Sequence, residues 1–142
     1  MTVASRRRWL KPVLIAVLVA SIYPAWVLGY TWSYVLQSDL PGGHHGPLDA
    51  YRHTLASAVV SYTLGPRAVA PATSVLEFRG NAGSFMDRHN NRIGAAIGAK
   101  AGSLAEIEPA VRARVLQGAV ATRDPQQTFW LPPAAWREAT FW

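Results

Sequence analysis

The sequence predicts an all-α protein, with one N-terminal transmembrane helix followed by a small bundle of about four helices. Three observations carry this. Pro12 to Gln37 contains no charged residue, in a chain that is 50% hydrophobic. The segments after it place apolar residues at helical spacing, and none shows a convincing strand pattern. Glycines then recur at a four-residue interval, as in closely packed helices.

The apolar run, "PVLIAVLVASIYPAWVLGYTW", has about the 20 residues needed to cross a bilayer's hydrocarbon. Pro24 and Gly29 interrupt it, and membrane helices tolerate both. Trp9 lies near one end, and Trp26, Tyr30, Trp32 and Tyr34 crowd the other, as in interfacial aromatic belts. The formal net charge is +6 and the pI about 10.3, values that could suggest nucleic-acid binding. The distribution argues otherwise. Arg6, Arg7, Arg8 and Lys11 precede the run, and the remainder is nearly balanced. Positive residues before a span keep the N-terminus cytoplasmic. The expectation is therefore a bacterial inner-membrane protein whose main domain is periplasmic, with the bilayer as partner through residues 12–34 and no nucleic acid. Its segments are a basic cytoplasmic N-terminus (1–11), a signal-anchor helix (12–34), a Gly/Pro/His linker (35–47) and a helical extracytoplasmic domain (48–142).

"SRRRWLK" (Ser5 to Lys11) resembles the twin-arginine export motif, with Trp9 in place of its Phe, although any Arg-rich flank can match by chance. The residues around Ser21 and before Trp26 make poor signal-peptidase sites, so an uncleaved anchor is expected. Without cysteines, the chain has no disulfide framework, thiolate metal site or thiol nucleophile.

"SDLPGGHHGP" reads as a loop in which His44 and His45 are solvated. Next, Leu48, Tyr51, Leu55, Val59 and Tyr62 form the apolar stripe of a helix ended by Gly65-Pro66. Its other stripe holds Asp49, Arg52 and His53, with Asp49 and His53 one turn apart. "RAVAPATSVLEFRG" reads as a second helix, with Val69, Val75, Leu76 and Phe78 apolar, Glu77 its only acid and Gly80 its stop. A third helix runs from about Phe85 to Ala101. On it, Asp87, Asn91, Gly94, Gly98 and Gly102 share one stripe. Gly94, Gly98 and Gly102 would let another helix approach closely and press Asp87 and Asn91 into the interior. "SLAE" (Ser103 to Glu106) is a capping box, and Pro109 starts a fourth helix with Val111, Val115, Leu116 and Val120 on its apolar face. The aromatic tail "TFWLPPAAWREATFW" either covers the core or rests at the membrane surface.

"MDRHNNRIG" (Met86 to Gly94) concentrates polar groups that cannot be buried singly without a cost of about 1–3 kcal/mol each. A cluster shared by three helices satisfies them together. The candidate catalytic residues are His53, Asp49, Glu77 and Asp87, and the candidate substrate-binding residues are Arg52, His89, Asn90 and Asn91. Carboxylates, amide oxygens and imidazole suit a divalent metal ion, for which Asp49, His53, Glu77 and Asp87 are the candidate ligands. Without a metal, a carboxylate could orient His53 to activate water. In a purely structural arrangement, Arg52 neutralises Asp87 or Glu77.

"GPLDAYRH" (Gly46 to His53), an acid near Glu77 and "MDRHNNRIG" together resemble an uncharacterised bacterial domain of secreted and toxin-like proteins. Its pattern is roughly G-P-x-D-A-aromatic-R-H, then H-E, then M-D-x-x-N-N-x-x-G. The resemblance covers about Gly46 to Gly98. It implies that Asp49, Arg52, His53, Glu77, Asp87, Asn90 and Asn91 belong to one site. In this chain Leu76 stands where the pattern has the histidine of H-E. The function expected is a membrane-anchored domain that hydrolyses an envelope substrate: a lipid, a wall fragment or a peptide. The alternative is a non-enzymatic envelope protein or binding module whose polar cluster is structural.

Overall fold

The computed structural model describes residues 3–74 and 82–137, and the described residues are mostly helical. Five helices occur among them: α1 (Val3–Val35), α2 (Pro47–Leu64), α3 (Val69–Ser74), α4 (Ala82–Gly98) and α5 (Ile107–Leu116). The stretch Lys11–Val35 of α1 is long and apolar enough to cross a membrane.

α2 is the centre. Pro47 fits its first turn, where no backbone N–H is needed, and Gly65 ends it at φ 88°, in the region that glycine enters freely. Tyr51, Leu55 and Val59 are fully buried. Val27 and Val35 of α1 and Ile107, Val111 and Val115 of α5 join them in one core. Tyr62, expected on the same stripe, is 38% exposed, although Val59, Val60 and Ser61 on the same turn are buried.

α1 and α2 run antiparallel. Tyr23 meets Thr63 through their hydroxyls at 2.5 Å, and the Arg52 guanidinium lies 5.6 Å from the Trp32 ring centre. Val27, Thr31 and Val35 are buried at successive turns. The second half of the apolar helix is therefore a core element of the domain, while Val13, Leu14, Val17 and Leu18 stay exposed.

α4 runs parallel to α2 in a fixed register, since His53 faces Asp87, Ser57 bonds Asn91 and Ser61 bonds the Ala95 carbonyl. Gly94 and Gly98 make this possible. A Cβ on Gly94 would come within 2.9 Å of Ser57 Cβ, and one on Gly98 within 2.9 Å of Ser61 Cβ, both inside van der Waals contact. Gly102 takes no part. It lies beyond the end of α4, and its N–H donates to Glu106.

Several expected elements shift. α4 starts at Ala82 and stops at Gly98, a few residues earlier at each end than the spacing implied. Ser103 precedes a 3₁₀ turn (Leu104–Glu106) without the expected capping box, since its hydroxyl donates to the Glu106 carboxylate and caps no backbone N–H. α5 ends with Leu116 65% exposed, and Val120 lies in a strand. That strand is a further departure: β1 (Ala119–Val120) pairs in parallel with β2 (Phe129–Trp130). Two residues are too few to show an alternating pattern. Of the second expected helix, a 3₁₀ turn (Pro66–Ala68) and α3 are observed, and Val75 to Gly80, including Glu77, lie outside the described residues.

The 35–47 segment is packed rather than free. The Leu48 and Asp49 amides donate to the Pro41 and Gly42 carbonyls, and Gly42 has φ 72° with Gly46 against it. The tail covers the core as far as it is described. Phe129 is buried, Arg137 bridges His44 through the backbone, and the Trp136 indole N–H donates to the Leu131 carbonyl.

Candidate metal centre

The site is built where the start of α2 faces the first half of α4. Asp49 occupies the third position of α2, where the helix dipole favours a carboxylate. It is 1% exposed, and both of its oxygens are held. Oδ2 accepts the His45 backbone N–H at 2.6 Å, and Oδ1 accepts from the Arg52 guanidinium one turn along. His53, on the next turn, directs Nε2 between two carboxylates. It lies 3.4 Å from Asp49 Oδ1 and 3.4 Å from Asp87 Oδ1. One potential ligand atom from each of Asp49, His53 and Asp87 falls within 4.8 Å of the others, so the group could hold a metal ion. His53 keeps 27% of its side chain exposed and Asp87 19%, while the Asp87 Oδ1 that faces His53 is itself buried.

Both 3.4 Å separations are long for N–H···O hydrogen bonds, which fall at about 2.7–3.2 Å. They equal the edge of a tetrahedron whose metal–ligand bonds are about 2.1 Å, the length usual for zinc with imidazole and carboxylate.

Electrostatics agree with a polarised cluster. Burial would push the Asp49 carboxyl up, but His53, Arg52 and the His45 N–H outweigh it and hold the group at about 2. Burial pushes the His53 imidazole down, but the Asp49 and Asp87 carboxylates more than offset this and raise it above its ordinary value. With the site holding only its own side chains, His53 is drawn toward imidazolium, paired with two carboxylates.

The remaining sequence candidates separate. Arg52 belongs to the cluster, between Asp49 and Trp32. Asn91 lies one turn further along α4, where its Oδ1 accepts from Ser57 at 2.7 Å. Asn90 and His89 face the tail. Asn90 donates to the Phe129 carbonyl at 2.8 Å and accepts the Phe129 N–H at 3.1 Å, acting as a surrogate strand. His89 Nε2 meets the Gln127 carbonyl at 2.8 Å. Glu77 lies outside the described residues.

Two residues gain a place that the sequence did not suggest. His44 and His45 are partly buried and stacked, with ring centres 3.9 Å apart, and His44 Nδ1 is 3.9 Å from Asp49. Burial and the neighbouring His45 hold the His44 imidazole below its ordinary value. Their position four and five residues before Asp49, ahead of a Gly-Pro helix start, was the available signal. Trp32 had none, because it reaches Arg52 only through the α1–α2 pairing.

No family model, curated protein or solved structure matches the chain.

Proposed function

We propose that this chain is a membrane-anchored, extracytoplasmic domain in which Asp49, His53 and Asp87 hold a divalent cation and hydrolyse an envelope substrate: a lipid, a wall fragment or a peptide. One observation carries the reading. His53 Nε2 stands at a tetrahedral edge length from two carboxylate oxygens on two different helices. An ion held by three protein ligands keeps a position for water, whose pKa it lowers to about 7, and that is the chemistry the ion would supply. The chain's own groups do the rest. Arg52 and the His45 N–H fix the Asp49 carboxylate so that it cannot rotate away. The partly exposed ring of His53 is the side of the cluster open to substrate. The packing of Val27, Thr31 and Val35 against α2 supports a retained anchor, since cleavage after α1 would open the core. The basic residues at the start of α1, ahead of its apolar run, support a cytoplasmic N-terminus.

A second reading has its own support. The Arg52–Asp49 pair and the 34-residue register between α2 and α4 are what a purely structural cluster would show, in a non-enzymatic envelope protein.

Metal titration of the purified full chain in detergent separates the two. Zinc and manganese are added after chelator treatment, and bound metal is measured by elemental analysis. The metal reading expects one ion per chain, lost in His53→Ala and in Asp87→Asn while melting changes little. A wild type that retains no metal, with both variants destabilised, overturns it in favour of the structural cluster.

A further inference from the structure

α1 leaves a shortfall at the membrane. The described side chains from Pro12 to Ile22 are all exposed, and Tyr23 is the first to pair with α2, through Thr63. At 1.5 Å per residue that stretch covers roughly 16 Å, about half of the ~30 Å of hydrocarbon to be crossed. Local thinning absorbs a few ångströms, not half a bilayer. The outer face of α1 stays apolar beyond this point, with Trp26 40% and Leu28 51% exposed. At the same level the bundle turns an apolar side chain of its own outward: Leu64 is 58% exposed. The parallel register brings the end of α4 to the same height, since Ser61 bonds Ala95 and α4 closes at Gly98. Two exposed cations follow these ends, Arg67 after α2 and Lys100 after α4. There is no Asp or Glu from Ala50 to Ser74 or from Arg88 to Ala105.

We infer that the end of the bundle formed by the C-termini of α2 and α4 is seated in the lipid interface, with Leu64 inserted beside α1 and the long side chains of Arg67 and Lys100 reaching up to headgroup phosphates. The partner is a phospholipid surface. Apolar side chains continuous with a membrane helix, flanked by two exposed cations, suit the boundary between acyl chains and phosphates. This seating rests on the membrane reading of α1. It places His53, ten residues back along α2, about 15 Å above Thr63, so the candidate site comes level with the headgroups.

The chain has no cysteine, so single-cysteine labelling is clean. Full-length protein carrying a fluorophore at Leu64→Cys, Lys100→Cys, Leu18→Cys or Gln126→Cys is reconstituted in vesicles of phosphatidylcholine and phosphatidylglycerol. Quenching by lipid-borne nitroxide is compared with quenching by aqueous iodide. The expected result is strong lipid quenching at positions 18 and 64, quenching by shallow nitroxides at position 100, and iodide quenching alone at position 126. Lipid quenching at 18 with iodide quenching alone at 64 and 100 overturns the seating and leaves the anchor standing. Iodide quenching alone at 18 overturns the anchor and the seating with it. As a second readout, the Arg67→Gln/Lys100→Gln variant should lose any extra quenching at 64 produced by raising the phosphatidylglycerol content. An unchanged dependence would refute the headgroup contacts.

Discussion

Replacing Gly94 with Ala tests the contact on which the candidate site depends. The added Cβ would fall within 2.9 Å of Ser57 Cβ and 3.0 Å of the Thr54 carbonyl carbon, with the Thr54 oxygen nearer still. Ordinary carbon contacts lie at about 3.5–4.0 Å, so α4 must retreat from α2 by roughly 1 Å. The Thr54 carbonyl belongs to the α2 backbone and cannot rotate out of the way. Overpacking of this kind costs about 1–3 kcal/mol. The better helix propensity of Ala returns about 1 kcal/mol, leaving a net loss of about 0–2 kcal/mol, and a deficit of about 1–3 kcal/mol against a glycine-to-alanine change with no packing cost. Gly29→Ala is the internal control, since nothing lies within 4 Å of its Cβ position. It should gain what Gly94→Ala gains from propensity and lose nothing to packing. Urea unfolding followed by circular dichroism reads both. The retreat would also widen the gap between His53 and Asp87, now 3.4 Å, so Gly94→Ala should weaken metal binding although it touches no candidate ligand. A Gly94→Ala protein as stable as Gly29→Ala, with full metal binding, would refute the close α2–α4 packing.

Further outcomes follow from other contacts. Asn90→Ala removes both hydrogen bonds to Phe129 and should cost about 1–3 kcal/mol in urea unfolding, with limited proteolysis speeding up in the 117–130 segment. An unchanged cleavage rate would show that Asn90 does not hold the tail. For pH, Asp49 is lowered from 3.8 to about 2, so its contribution of roughly 2 kcal/mol is present above pH 4 and lost as pH falls toward 2. His53 is raised, so in chelator-treated protein its contribution is full below its ordinary value near 6.5 and fades as pH rises through the folded value. Asp49→Asn should flatten the acid limb of a stability–pH curve, and a limb of unchanged shape would contradict the assignment. A reporter enzyme fused after Trp142 should be active only outside the cytoplasm, and cytoplasmic activity would reverse the orientation.

Much of the helical frame could be read from local chemistry. Pro47 and Gly65 set the limits of α2, and its apolar spacing marked Tyr51, Leu55 and Val59 as core. Glycines at 94 and 98 indicated close helix packing, although not which helix they would meet, and the same spacing wrongly added Gly102. Asp49 and His53 were recognisable as a pair because helical geometry alone puts residues four apart on one face. Their meeting with Asp87 depends on the parallel register of α2 and α4, which the intervening chain must cross back to establish. His89, Asn90 and Asn91 are neighbours in sequence yet point toward different partners, because successive helical residues turn by about 100°. The two-residue strands, the burial of His44 and His45 and the docking of Trp32 on Arg52 all join residues distant in sequence or in loops without a period. Periodicity reports which face of a segment is apolar. It carries no information about which segment that face will meet, and that meeting is what the tertiary structure decided.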